Sequence, residues 1–143
     1  MRVRPMTERD ARAVADLSGQ LGYPSTVAQI DGRFVRLSGD PESAIFVAEG
    51  EGGMIVGWVH VVGRCFLELD PYAELGGLVV DAAARRQGAG KALVSAAERW
   101  AAGRGYVTMR VRSNTMRVEA RPFYEGAGYA IVKSQNVYEK PIT

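Results

Sequence analysis

The sequence is short of the residues that most often hold metals and cross-links. Its 143 residues include one cysteine, Cys65, and one histidine, His60. A lone cysteine forms no internal disulfide, and one cysteine with one histidine does not complete the tetrahedral ligand set of a zinc site. The composition therefore argues against a disulfide framework, and we expect no metal.

Strong charge and long apolar segments are lacking as well. The formal net charge is +2 and no block of lysine and arginine stands out, so we expect neither nucleic acid nor a membrane surface as a partner. No apolar run approaches the roughly 20 residues that cross a bilayer, and "MRVRPMTERD" has no apolar signal core. We expect a cytoplasmic protein with a single domain over residues 1–143.

The first third of the chain has helical periodicity. After a short strand in "MRVRPM", the segment "TERDARAVADLSGQLG" places Val14, Leu17 and Leu21 on one face of a helix that Thr7 precedes as a cap. The segment "TVAQIDGRFVRLSG" repeats this pattern, and Ser25 is the cap that we expect for it. Two helices therefore follow the first strand.

The rest of the chain alternates between strand and helix patterns. The apolar, β-branched segments "SAIFVAEG" and "GMIVGWVHVVG" predict a hairpin, and "YAELGGLVV" predicts a third strand. A helix in "GKALVSAAERWAAG", a strand in "YVTMRVR" and a short helix around "MRVEARPFYEGAG" follow. A last pair of strands is expected in "YAIVKS" and "QNVYEKPI". The order predicts an α+β domain whose mixed, mainly antiparallel sheet contains one parallel βαβ crossover.

The loop "RRQGAGK" combines small residues with cations at the start of a predicted helix. It is not a P-loop, because Arg85 and Ala92 stand where that motif needs Gly and Ser or Thr. It is not a dinucleotide fingerprint either, because Leu93 stands where the third glycine belongs. The first amides of a helix and nearby cations suit a pyrophosphate. A plain turn with solvated arginines is the alternative.

Two motifs resemble those of the GNAT superfamily of N-acetyltransferases. The first is the coenzyme A signature R/Q-x-x-G-x-G/A, at Arg85, Gly88 and Gly90. The second is A-x-x-F/L-Y-x-x-x-G-F/Y, carried by Ala120, Phe123, Tyr124, Gly128 and Tyr129. The order of the predicted elements resembles that superfamily too, with its three-layer fold and a splayed central pair of strands.

The resemblance implies acetyl-CoA as the acyl donor. Its pyrophosphate would lie on the amides of the glycine loop, and its pantetheine arm would pair with the free backbone of the third strand, where "YAELGGLVV" parts from "YVTMRVR". Asn114 is a weaker candidate, because the family's usual spacing would place that asparagine at Arg117. The residues expected to bind the cofactor are Leu78, Val79, Val80, Arg85, Arg86, Gln87, Gly88, Ala89, Gly90, Lys91 and Asn114.

The same resemblance assigns catalytic roles to Glu74 and Tyr124. Glu74 would be the general base, acting through water, and Tyr124 the general acid for the leaving thiolate. Strand alternation would place Glu74, Gly76, Leu78 and Val80 on one face. The alternatives are that Glu74 pairs with an arginine such as Arg110 or Arg112 and that Tyr124 is a core residue. His60 as a base is a further alternative to a structural role.

The acceptor is the least explicit part of the function. The resemblance implies a small-molecule or peptide amine, and Tyr23, Asp70 and Tyr72 are candidates to line its pocket. A turn with a packed aromatic is an equally good interpretation of "DPY". A non-catalytic acyl-CoA sensor is the alternative to an enzyme, and a homodimer is expected by analogy with the family. Pro122 departs from the family's helix and predicts a late start or a kink there.

Overall fold

The computed structural model describes residues 1–85, 87–113 and 118–143. These residues form two compact units, Met1–Arg112 and Ser113–Thr143, and each is described by itself. The single domain over 1–143 therefore stays a prediction. None of the described helices combines the length and apolar character needed to cross a bilayer.

The first unit contains three helices. They are α1 (Ala11–Leu21), α2 (Val27–Ser38) and α3 (Ala89–Gly103), all in regions where the sequence predicts helix. Thr26, and not Ser25, caps α2: its hydroxyl accepts a hydrogen bond from the Gln29 amide at 3.1 Å, and Gln29 Oε1 accepts one from Thr26 N at 3.0 Å. This reciprocal pair occupies amides at the helix start that would otherwise have no partner.

Five strands form one sheet in the order β1-β2-β3-β4-β5. They are β1 (Arg2–Pro5), β2 (Ser43–Glu49), β3 (Ile55–Phe66), β4 (Leu69–Val80) and β5 (Met109–Val111). All neighbours are antiparallel except β4 and β5, which are parallel with α3 as their crossover. The predicted mixed sheet is thus confirmed.

Helices cover both faces of the sheet in the first unit. On one face α1 and α2 pack Val14 and Ile30 against Val47 of β2, with Trp58 of β3 beside them. On the other face α3 buries Leu93, and a Cβ added at Gly57 of β3 would lie 3.0 Å from the Leu93 side chain. The sheet is therefore the middle layer, and the α1/α2 face and the α3 face are distinct surfaces.

A β-bulge interrupts β4 and changes which residues share a face. Gly77 pairs with His60 and Leu75 pairs with Val61, so Gly76 is an extra residue without a partner in the β3 ladder. Glu74, Gly76 and Gly77 consequently lie on the α1/α2 face, whereas Leu78 lies on the α3 face. The expected shared face of Glu74, Gly76, Leu78 and Val80 was wrong, because alternation holds only where no residue is inserted.

The second unit contains one short helix, α4 (Ala120–Gly126). It begins late, as Pro122 predicts, and Pro122 lies in its first turn, where a missing amide hydrogen breaks no helical bond. The last pair of predicted strands was wrong: residues 129–143 form no ladder in the described structure. Alternation in "YAIVKS" and "QNVYEKPI" describes side chains, but a strand also needs a partner for its backbone.

Candidate active site

The two sides of β4 are paired over different lengths. Toward β3 its pairing continues to Val80, but toward β5 it covers only Ala73–Leu75. From Gly76 to Val80, the β5 side of the strand therefore has no ladder partner among the described residues. Such an edge offers amides and carbonyls to an extended ligand that can pair with them. The splay expected between these two strands is confirmed.

The open edge leads directly into the glycine loop and α3. A single turn at Ala82–Ala84 follows β4, and Gly88 precedes α3 with φ of 84°, a conformation that glycine adopts without strain. The first intrahelical bond is donated by Ala92 N to Gly88 O at 3.0 Å. The amides of Ala89, Gly90 and Lys91 precede it and have no intrahelical partner, so they suit an anion.

Charge and anchoring at the loop fit the same ligand. Arg85 and Lys91 are exposed, and neither forms an ion pair with a carboxylate of the described residues. Gln20 of α1 accepts a hydrogen bond from Ala82 N at 3.0 Å and so fixes the start of the loop. Cations that no described carboxylate neutralises, beside amides at a helix start, suit a pyrophosphate.

Most of the predicted cofactor residues therefore lie along one continuous path. Leu78, Val79 and Val80 are on the open end of β4, and residues 87–91 form the end of the glycine loop and the first residues of α3, with Arg85 earlier in the same loop. Arg86 and Asn114 lie outside the described residues.

Glu74 is buried between two arginines. Its side chain is 4% exposed, and Oε2 accepts hydrogen bonds from Arg64 Nε at 3.2 Å and Nη2 at 3.0 Å. Arg112 Nε lies 3.1 Å from Oε1, without the angle of a hydrogen bond. The sequence analysis left such a pairing with an arginine open as the alternative to a role of Glu74 as general base. Both carboxylate oxygens are engaged by guanidinium groups.

A cavity of about 390 Å³ opens on the α1/α2 face beside the bulge. This volume is within the range of about 300–1,000 Å³ that is usual for small-molecule sites. Its apolar walls include Met6, Val14, Ile30, Phe34, Ile45 and Trp58. Its polar lining includes Ser18, Ser25, Arg33 and His60, and Gly76 and Gly77 form its border on β4. A ligand in this cavity would meet β4 where the strand opens.

His60 is the titratable group nearest to the bulge. Its Nε2 lies 2.8 Å from Ser43 Oγ, and a Cβ added at Gly76 would lie 3.7 Å from its Nδ1. Burial lowers the pKa of the His60 imidazole below its usual value, the charge of Arg64 lowers this pKa further, and Asp40 opposes both. The imidazole is therefore neutral near pH 7 and can accept a proton. Sequence reasoning favoured a structural role, because its distance from the bulge is not visible in the sequence.

The three candidate acceptor residues are not brought together. Tyr23 lines the cavity, whereas Asp70 and Tyr72 do not. Tyr72 is buried, stacks on Phe66 and carries the Arg110 guanidinium 4.5 Å above its ring. Asp70 is exposed near the start of β4.

Tyr124 belongs to α4 of the second unit. Its ring makes edge contacts with Phe123, at 5.1 Å between centroids, and with Tyr129, at 6.0 Å. Its carbonyl accepts hydrogen bonds from the amides of Ala127 and Tyr129, which close the helix. These contacts hold the aromatic residues of the second motif in one small cluster.

Comparison with known proteins identifies the family. A family model described as an acetyltransferase (GNAT) domain matches residues 41–131, which is well over half of the chain. The aminoglycoside N(6')-acetyltransferase type 1 of Klebsiella aerogenes is 28% identical over 152 residues, which cover 98% of this chain and 96% of the relative.

Solved structures share the fold over the whole chain. The apo aminoglycoside 6'-N-acetyltransferase AAC(6')-IG of Acinetobacter haemolyticus superposes with a TM-score of 0.86, at 18% identity and full coverage of both chains. The aminoglycoside N-acetyltransferase AAC(6')-Iy, solved in complex with CoA, gives a TM-score of 0.81 at 21% identity, covering 98% of this chain and 99% of the other.

Proposed function

Because the chain belongs to the GNAT acetyltransferase family, we propose that it transfers the acetyl group of acetyl-CoA directly to a primary amine of a small molecule or peptide. One observation carries this proposal: β4 opens at Gly76, and its free edge runs into the amides of the glycine loop. The cavity on the α1/α2 face, which we take as the acceptor cavity, borders Gly76 and Gly77. Donor path and acceptor cavity therefore meet at the bulge.

Binding of the donor falls to the backbone more than to side chains. Those backbone amides and carbonyls of Leu78, Val79 and Val80 that point away from β3 would pair with the pantetheine amides, while the amides of residues 88–91 would hold the pyrophosphate with Arg85 and Lys91. Acetyl-CoA supplies, when bound, an activated thioester acyl group and a thiol leaving group. Placement of an extended ligand along a fixed strand edge reduces the entropy lost in reaching the reactive geometry.

We assign the general base to His60 and a positioning role to Glu74. His60 Nδ1 faces the bulge, and in the tautomer where Nε2–H donates to Ser43 Oγ this atom has a free lone pair. It would accept the proton that the acceptor amine loses. Glu74 has both oxygens engaged by Arg64 and Arg112, so it would hold β5 against β4.

Tyr124 is proposed as the general acid, on the strength of its place in the second family motif. Its phenol would hold the proton that the leaving thiol takes up. A cytoplasmic location and a homodimer stay predictions of the sequence.

Measurement of thiol release from acetyl-CoA across a panel of amines tests the proposal. For the native protein we expect kcat/KM to fall as pH drops through the lowered pKa of His60, because a base must be neutral to accept a proton. His60→Gln should remove that acidic limb, and Ser43→Ala serves as a control for the imidazole's orientation. Binding of acetyl-CoA without thiol release for any amine would favour the acyl-CoA sensor instead.

A further inference from the structure

The only permanent charge among the described lining residues of the acceptor cavity is positive. Among its lining residues in the described chain there is no aspartate or glutamate, and the sole permanent charge is the Arg33 guanidinium on α2. Arg33 donates to Ser25 Oγ at 2.9 Å and is not within ion-pair distance of a described carboxylate. His60, the other basic group of the lining, is neutral near pH 7.

A polycation has no counter-charge in such a cavity. Each ammonium group that enters loses hydration, and without a carboxylate the lining offers no opposite charge to compensate for that loss. The single amine that reacts is an exception, because it must become neutral before it can attack the acyl group. A ligand with several further ammonium groups would also be repelled by Arg33.

The rest of the lining favours an apolar body. Val14, Ile30 and Phe34 line one side and Trp58 lies on the sheet, so an aliphatic or aromatic segment would bury against them. The amine must reach Gly76 and His60, while Arg33 lies on α2. An anionic group on the ligand would therefore be separated from the amine by the apolar segment.

We infer that this cavity binds an acceptor in which an apolar segment links the reacting amine to one carboxylate, which Arg33 pairs with. A short apolar peptide with a free amino end has this chemistry. The inference rests on the proposed function for the identity of the amine, but the preference for a carboxylate is a property of the cavity itself. The aminoglycosides named for the relatives are polycations and lack this pattern.

Two matched ligands and two matched variants test the inference. The ligands are L-leucyl-L-leucine and its C-terminal amide, which differ only in the carboxylate, and kanamycin serves as the polycation. The variants are Arg33→Gln and Arg36→Gln, because both arginines are exposed on α2 but only Arg33 lines the cavity. Affinity is measured by calorimetry on the CoA-loaded full chain, and turnover by thiol release.

We expect the native protein to bind the dipeptide about threefold to fivefold more tightly than its amide, the gain typical of an exposed ion pair. Arg33→Gln should abolish this difference and Arg36→Gln should keep it. Kanamycin should be acetylated at least about tenfold less efficiently than the dipeptide, because the cavity offers its ammonium groups no carboxylate.

The outcomes separate the inference from the function on which it rests. Equal binding of dipeptide and amide, no binding of either, a preference that survives Arg33→Gln, or faster turnover of kanamycin would each overturn the inference. Binding with an Arg33-dependent preference but without thiol release from any ligand would contradict the enzymatic function and leave the cavity's selectivity standing.

Discussion

The two ends of β4 differ in how their backbone is paired: one end is closed within the sheet and the other is open to a ligand. From Ala73 to Leu75 the backbone is paired on both sides, and Glu74 is held by arginines of β3 and of the segment just after β5. From Gly77 to Val80 the strand has a ladder partner only in β3 among the described residues, Gly76 and Gly77 border the cavity, and Val80 leads into the glycine loop. At the closed end the backbone hydrogen bonds stabilise the sheet, whereas at the open end the backbone groups that face away from β3 can pair with a ligand.

The largest expected effect is on kcat/KM, and it distinguishes His60, beside the open end of β4, from Glu74 at the closed end. His60→Gln should lower kcat/KM about 100-fold, the low end of what general acid–base catalysis contributes. Glu74→Gln should lower it less than about tenfold, because we assign Glu74 the positioning of β5. Steady-state kinetics on both variants, with acetyl-CoA saturating, measures the ratio. A larger loss of kcat/KM in Glu74→Gln than in His60→Gln would restore Glu74 as the general base and contradict the contrast between the two ends of β4.

A second prediction concerns how glycine shapes the open end. A Cβ at Gly57 would lie 2.8 Å from the Val79 carbonyl oxygen and 3.0 Å from Leu93. Gly57→Ala should therefore reduce the free energy of unfolding by about 1–3 kcal/mol, as overpacking does. Gly19→Ala in α1 is the control, since no atom lies within 4 Å of its added Cβ. There, urea denaturation should show no loss. Equal destabilisation of both variants would contradict the contact at Gly57.

A smaller effect is expected from the charge beside the loop. Arg85→Ala should raise the KM for acetyl-CoA about tenfold with little change in kcat, because a charged contact to phosphate contributes equally to ground and transition states. Arg99→Ala, an exposed arginine farther along α3, is the matched control. Added salt should weaken binding to the native protein more than to the Arg85 variant. Unchanged KM in that variant would remove Arg85 from the cofactor site.

The sequence predicted the open end better than the closed one. Local patterns are sufficient for "RRQGAGK" followed by a helix, because a loop's glycines and a helix start depend on neighbours in the chain. The partners of Glu74 depend on register across three strands. Of the two possible partners named from the sequence, Arg112 pairs with Glu74, whereas Arg110 lies over the Tyr72 ring. Arg64 was not foreseen, since nothing local in the sequence indicates its pairing with Glu74.

The bulge at Gly76 escaped prediction for the same reason. Alternation in "YAELGGLVV" suggests a regular strand, and only the ladder with β3 reveals the extra residue. The bulge shapes the candidate site, because the inserted residue places both Gly76 and Gly77 at the cavity beside His60. The final strands failed in the opposite way: "QNVYEKPI" has the pattern of a strand, but its backbone has no ladder partner in the described structure.

Amide hydrogen exchange with and without acetyl-CoA is the most direct test of the central claim, that the donor binds along the open end of β4. We predict slower exchange in residues 76–80 and 87–91 when acetyl-CoA is bound, because the β4 amides that point away from β3 and the amides of the glycine loop gain partners. Exchange in residues 69–75 should stay the same, since the ladder on both sides of Ala73–Leu75 already protects that end. Binding of acetyl-CoA with no added protection in residues 76–80 would contradict the account.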